Sequence, residues 1–211
     1  MQNRREFVKG SAVFGAMMAA APAVVVGQGA ARVFKVGMIG AGGRCSGAMA
    51  NLLEAAKNLG QEIKLVAVCD FFEDRARNAA KKFGCDEKNV FWDANSYKKV
   101  VASDCEIIVT ATPPAFRPVH VEAAIKAGKH VFAEKPVAVD GPGVRQFLAA
   151  AKLAKEKKLA LVAGTQRRHH KGYLLQALAL QQGQVGQVLG GAVYWNGMVP
   201  WVRARKEGMR N

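Results

Sequence analysis

From Ala31 onward the chain alternates short apolar runs with amphipathic segments, the pattern of strand–helix–strand units on a parallel sheet. Val33 to Ile39 reads as a first buried strand and Ala48 to Leu59 as the helix after it. Ile63 to Cys69, rich in β-branched residues and closed by Asp70, predicts a second strand, and Asp74 to Phe83 has helical spacing. Val90 to Trp92 predicts a short third strand, Ser96 to Ala102 a short helix, and Glu106 to Thr110 a fourth strand. That strand runs into Thr112-Pro113-Pro114, where the prolines force the chain out of regular structure. Val119 to Ala127 is a helix stopped by Gly128, His130 to Ala133 a fifth strand, Gly143 to Lys157 a long basic helix, and Leu159 to Ala163 a sixth strand.

Six strands with intervening helices fit an α/β fold, one doubly wound parallel sheet over residues 31–164. Beyond it, Tyr173 to Gln182 reads as a helix and Val188 to Trp195 as a strand opening a second, α+β domain. The residues after Trp195 are too few to close a sheet, so 165–211 is expected to be only the beginning of that domain.

Composition narrows the partners. Half of the 211 residues are apolar, enough for a real core. The formal net charge of +15 would point to nucleic acid if it were clustered, but the central positives, such as Lys152, Lys155, Lys157 and Lys158, fall on predicted helix surfaces. Nucleic acid is therefore not an expected partner. Cys45, Cys69, Cys85 and Cys105 are widely spaced, with no Cys-x-x-Cys pair and no His at ligand spacing, so they read as reduced and mostly buried, and no metal site is expected. The adjacent His169 and His170 cannot converge on one ion without further ligands.

The first 30 residues read as an address. Arg4-Arg5-Glu6-Phe7 and Lys9 precede a Gly- and Ala-rich apolar stretch from Ser11 to Val26, with Ala19, Ala21 and Ala23 suited to signal peptidase. This resembles a twin-arginine signal and implies export of a folded protein to the periplasm, with membrane contact only through that signal. A cofactor-dependent enzyme exported this way would load its cofactor before leaving.

Chemistry concentrates at the strand ends. Gly40-Ala41-Gly42-Gly43-Arg44-Cys45 joins the first strand to the first helix, where glycines let the backbone approach a pyrophosphate that the helix N-terminus attracts. The small Cys45 stands where a third glycine is usual, so close helix-to-sheet packing remains feasible. Asp70 at the end of the second strand can accept from both adenine-ribose hydroxyls and repels a 2′-phosphate, which favours NAD over NADP. Arg44 and Arg75 offset part of that repulsion, and the alternative role for Asp70 is a helix cap.

Thr110-Ala111-Thr112-Pro113-Pro114, Ala127-Gly128-Lys129-His130-Val131 and Glu134-Lys135-Pro136, in this order and spacing, resemble the Gfo/Idh/MocA oxidoreductases, the group of glucose-fructose oxidoreductase and inositol dehydrogenase. The resemblance runs from about Val33 to Trp195. It implies a Rossmann domain binding NAD(P) through Gly40, Gly42, Gly43, Arg44, Asp70, Thr112, Pro113, Glu134, Lys135 and Arg167. It further implies a catalytic Lys135 that contacts substrate and nicotinamide ribose, a cis bond before Pro136, a sugar or polyol substrate, and a homo-oligomer at full length. Many relatives carry His where this chain has Arg117, which reads either as a ligand for an acidic substituent or as a helix cap, the cap being favoured; His120 reads as a packed histidine. The Asp and His of the family's acid–base pair have no counterpart in residues 196–211, so this chain alone is expected to be inactive. An NAD-dependent glycosidase on the same fold and a non-catalytic dinucleotide-binding protein are the alternatives.

Overall fold

A computed structural model describes residues 32–197, so the signal reading of residues 1–30 lies outside the described residues. The chain divides into two compact units, Met1–Gly164 and Thr165–Asn211. In the first, the elements follow the order β1 (Val33–Ile39), α1 (Gly43–Asn58), β2 (Glu62–Asp70), α2 (Glu73–Phe83), β3 (Val90–Trp92), α3 (Tyr97–Ala102), β4 (Ile107–Thr110), α4 (Arg117–Lys126), β5 (His130–Glu134), α5 (Gly141–Glu156) and β6 (Leu161–Gly164). The strands form one sheet in the order β3-β2-β1-β4-β5-β6, and every adjacent pair is parallel. This is the doubly wound arrangement expected, with the strand order reversing between β1 and β4.

Alternation along the strands sends side chains to two cores. Val36, Met38, Leu65, Val68 and Val109 pack with Cys45, Met49, Ala76 and Ala80 of α1 and α2 on one face. Ile39, Ala67, Cys69, Ile108 and Val131 pack with residues of α3, α4 and α5, among them Val100, Val121, Ile125 and Phe147, on the other. Each such fully buried aliphatic side chain contributes about 1.5–3 kcal/mol relative to exposure. Gly37 is required where the second core closes on β1: a Cβ there would lie 2.8 Å from both Ile108 and Val100. All four cysteines are free thiols, three of them buried and Cys85 partly so.

Most element ends shift by a residue or two from the sequence reading, and three helix starts of the first unit move by two residues or more. Helix α1 starts at Gly43 rather than Ala48, because no Ser, Thr or Asp marks its start; Gly42 is the N-cap and offers no side-chain acceptor. Helix α4 starts at Arg117, the following Pro118 being tolerated in the first turn. Helix α5 starts at Gly141, capped by Asp140, whose carboxylate accepts from the Gly143 N–H at 2.7 Å.

The second unit contains a 3-10 turn at Gln166–His169 and α6 (Lys171–Gln181). The strand expected from Val188 to Trp195 does not form. Its residues are exposed, Val193 at 98%, and a strand needs a neighbour to satisfy its N–H and C=O groups, which the described residues of this unit do not provide.

Candidate functional site

Where β1 and β4 diverge, the loops leaving their C-terminal ends open a crevice, the place where a doubly wound sheet takes a ligand. The turn after β1 is fixed from two sides. The Gly40 N–H donates to the Cys69 carbonyl at 2.8 Å, and Gly40 holds φ +86°, a left-handed conformation natural to glycine. A Cβ there would stand 2.8 Å from the Thr112 methyl and 3.2 Å from its backbone nitrogen, so the loops after β1 and β4 approach as closely as only glycine permits. Cys45 is buried beneath the loop, its thiol facing the Ile39 and Val109 carbonyls, and burial pushes that thiol up to about 12. Close packing of α1 on the sheet is thus achieved with Cys45 in the third glycine's place.

Asp70 ends β2 at the crevice edge. One carboxylate oxygen accepts from the Ala41 N–H at 2.7 Å and the other from the Phe72 N–H at 3.0 Å. The residue is only 9% exposed, yet it lines a cavity of about 540 Å³ together with Gly40, Gly42, Arg75, Thr112 and Pro113. A carboxylate has about four acceptor directions, so two remain for a ligand. The Arg75 guanidinium lies over the Phe72 ring at 4.7 Å, and Arg75 lines the same cavity.

The other side of the crevice is built by the loops after β4 and β5. Thr112 shares a hydrogen bond with His120 Nδ1 at 3.1 Å, and the His120 ring packs against Tyr97 with centroids 4.5 Å apart. Burial, reinforced by the Arg117 charge, lowers the His120 pKa to about 4, so the packed histidine is neutral near pH 7. Arg117 itself is 3% exposed and donates to the backbone carbonyls of Thr112 and Pro136, stapling the two loops together. It is neither exposed to a substrate nor a helix cap; both earlier readings give way to an internal tie. Its Nε has no partner among the described residues.

Glu134, 3% exposed, closes β5. Its Oε1 accepts from Arg44 Nε at 2.8 Å and its Oε2 from the Lys135 N–H at 2.9 Å. Gly164 leaves room for this carboxylate, since a Cβ there would meet Glu134 Oε1 at 2.8 Å. Lys135 is exposed, and the Lys135–Pro136 peptide is cis.

The fold and the sequence have known counterparts. The model of the oxidoreductase family with an NAD-binding Rossmann fold matches residues 34–165. The chain belongs to the Gfo/Idh/MocA family. An inositol 2-dehydrogenase of Salmonella paratyphi B is 32% identical over 161 residues, 75% of this chain and 43% of that protein. Among solved structures, apo scyllo-inositol dehydrogenase from Lactobacillus casei superposes with a TM-score of 0.60 at 25% identity, over 74% of this chain and 43% of that one. A 3-ketoreductase from Actinomadura kijaniata in complex with NADP superposes at 0.58 and 26% identity, covering 73% and 45%. The chain therefore spans less than half the length of these relatives.

The family's dinucleotide fits the residues present. The 16-residue α1 points an N-terminus without a side-chain cap at the Gly40–Gly43 loop, and a Cβ at Gly42 or Gly43 would meet nothing within 4 Å. Of the residues singled out in the sequence, Gly40, Gly42, Asp70, Thr112 and Pro113 share the cavity wall. Gly43 begins α1 beside it, while Arg44, Glu134 and the Lys135 backbone form a cluster at the end of β5. Arg167 lies in the second unit, its guanidinium over the rings of Trp195 at 4.3 Å and Tyr173 at 5.5 Å. Sequence reasoning missed the tie from Asp70 to Ala41 and the stapling role of Arg117. The latter carried one signal, a charged residue directly before the Pro118 that opens an apolar helix face.

Proposed function

We propose that the protein is an exported oxidoreductase that moves a hydride between NAD and a carbinol carbon of a sugar, polyol or sugar derivative. Asp70 carries the cofactor reading: its two free acceptor directions suit the two ribose hydroxyls, and its buried negative charge opposes a 2′-phosphate. Arg75 lines the same cavity and offsets part of that repulsion. The first-turn N–H groups of α1 would hold the pyrophosphate, and Thr112 and Pro113 would border the nicotinamide half. When bound, the nicotinamide supplies the hydride acceptor.

Lys135 is the catalytic residue of this reading. Glu134 fixes its backbone, leaving the exposed ammonium at the end of β5, where it hydrogen-bonds a substrate hydroxyl and steadies the charge that develops as the hydroxyl proton leaves. The inositol dehydrogenase relatives support the substrate class. A panel of inositols and sugars offered with NAD⁺ to the full-length protein and read by NADH formation tests it; glycoside cleavage without net NADH would overturn the dehydrogenase in favour of a hydrolase. For export, replacing Arg4 and Arg5 together by Lys should hold the precursor in the cytoplasm, and continued periplasmic delivery would overturn the twin-arginine reading.

A further inference from the structure

The stapling arginine is a cation in an unusual place. Arg117 is 3% exposed, and the acceptors it holds are two carbonyls, of Thr112 and Pro136, with no carboxylate among them. Glu134 is near enough to act on it through space, but both oxygens of Glu134 are already engaged, one by Arg44 and one by the Lys135 N–H. His120 adds no charge near pH 7. The ends of β4 and β5 thus gather the cations of Arg117, Arg44 and Lys135 against the single carboxylate of Glu134. Of the three, Arg117 alone is buried; Arg44 and Lys135 are exposed.

This charge bears on the proposed cofactor, and the inference rests on that reading. With Asp70 marking the adenosine side, a dinucleotide crossing the switch point would carry its nicotinamide over β4 and β5, beside the two loops Arg117 joins. The oxidised ring is a cation and the reduced ring is neutral. We infer that Arg117 sets the redox preference of the site, its buried guanidinium raising the dissociation constant of NAD⁺ relative to that of NADH. A guanidinium stays charged when buried, and water and salt screen it far less than they screen exposed groups.

The test is a pair of fluorescence titrations on the full chain, with NAD⁺ and NADH separately and no substrate present. Wild type should bind NADH about tenfold or more tightly than NAD⁺, and Arg117→Gln should shrink that ratio about threefold or more. Arg117→Lys should keep the ratio within about twofold even where both affinities fall, because it keeps the charge. A purely structural role predicts that Arg117→Gln weakens both forms alike, and an unchanged ratio overturns the inference while leaving the cofactor reading intact. Should Arg117→Gln not fold, salt decides on wild type: a buried charge keeps the ratio steady up to about 0.5 M NaCl, whereas collapse of the ratio assigns it to exposed Arg44 and Lys135. Failure of wild type to bind either form overturns the proposed function and this inference with it.

Discussion

Replacing Gly40 by Ala probes the contact on which the crevice depends. The new Cβ would sit 2.8 Å from the Thr112 methyl and 3.2 Å from the Thr112 nitrogen, in a backbone held at φ +86°. The left-handed conformation alone costs a non-glycine residue about 1–3 kcal/mol. The contact adds to it, because Thr112 is poorly placed to retreat: its carbonyl is held by Arg117 and its hydroxyl by His120. A total loss of about 3 kcal/mol, roughly 10 °C in Tm for a domain of this size, is expected. Gly42 is the control. It lies at φ −70° with nothing within 4 Å of a Cβ, so Gly42→Ala should stay within about 0.5 kcal/mol of wild type. Urea unfolding followed by circular dichroism measures both, and NADH titration of folded Gly40→Ala should show affinity reduced about tenfold or more, as the loop shifts off the α1 N-terminus. Equal stability of the two variants would refute the close approach of the β1 and β4 loops.

Asp70→Ala should weaken NADH binding about tenfold while affecting NADPH little, narrowing the preference, since it deletes charge-assisted ribose bonds and the repulsion together; parallel titrations read it. His120 gives a pH signature. Its folded pKa of about 4 lies below the unfolded value of about 6.5, so the unfolded chain binds more protons between these limits. Stability is full above about pH 6.5 and falls by about 3 kcal/mol as pH drops to 4, and His120→Gln should remove that slope from urea midpoints measured across pH. In the full-length protein, Lys135→Ala should lower kcat about a hundredfold with far less change in NADH affinity, and Lys135→Arg should not rescue; near-normal turnover would refute its catalytic role.

What was legible in the sequence was whatever depends on neighbours along the chain. Apolar runs marked all six strands of the first unit, and the central ones, covered on both faces, read as nearly continuous hydrophobic stretches. The Gly40 turn and Asp70 were visible because a glycine-rich turn and an acid at a strand end have local patterns. What was not legible depends on pairs far apart. Arg44 lies 90 residues from Glu134, and nothing local says that the guanidinium turns to β5. Arg117 looked like a surface cap because its burial is created by the loops it joins, 5 and 19 residues away. The Val188 to Trp195 run has strand composition, but an apolar run becomes a strand only where a partner strand meets it.

The central claim is a dinucleotide seat whose adenosine end is read by Asp70. Titrating the wild-type chain with NADH and with NADPH under identical salt, following protein fluorescence, tests it most directly. The account predicts saturable 1:1 binding of NADH about tenfold or more tighter than that of NADPH. Equal or reversed affinities, or no binding of either, would contradict it.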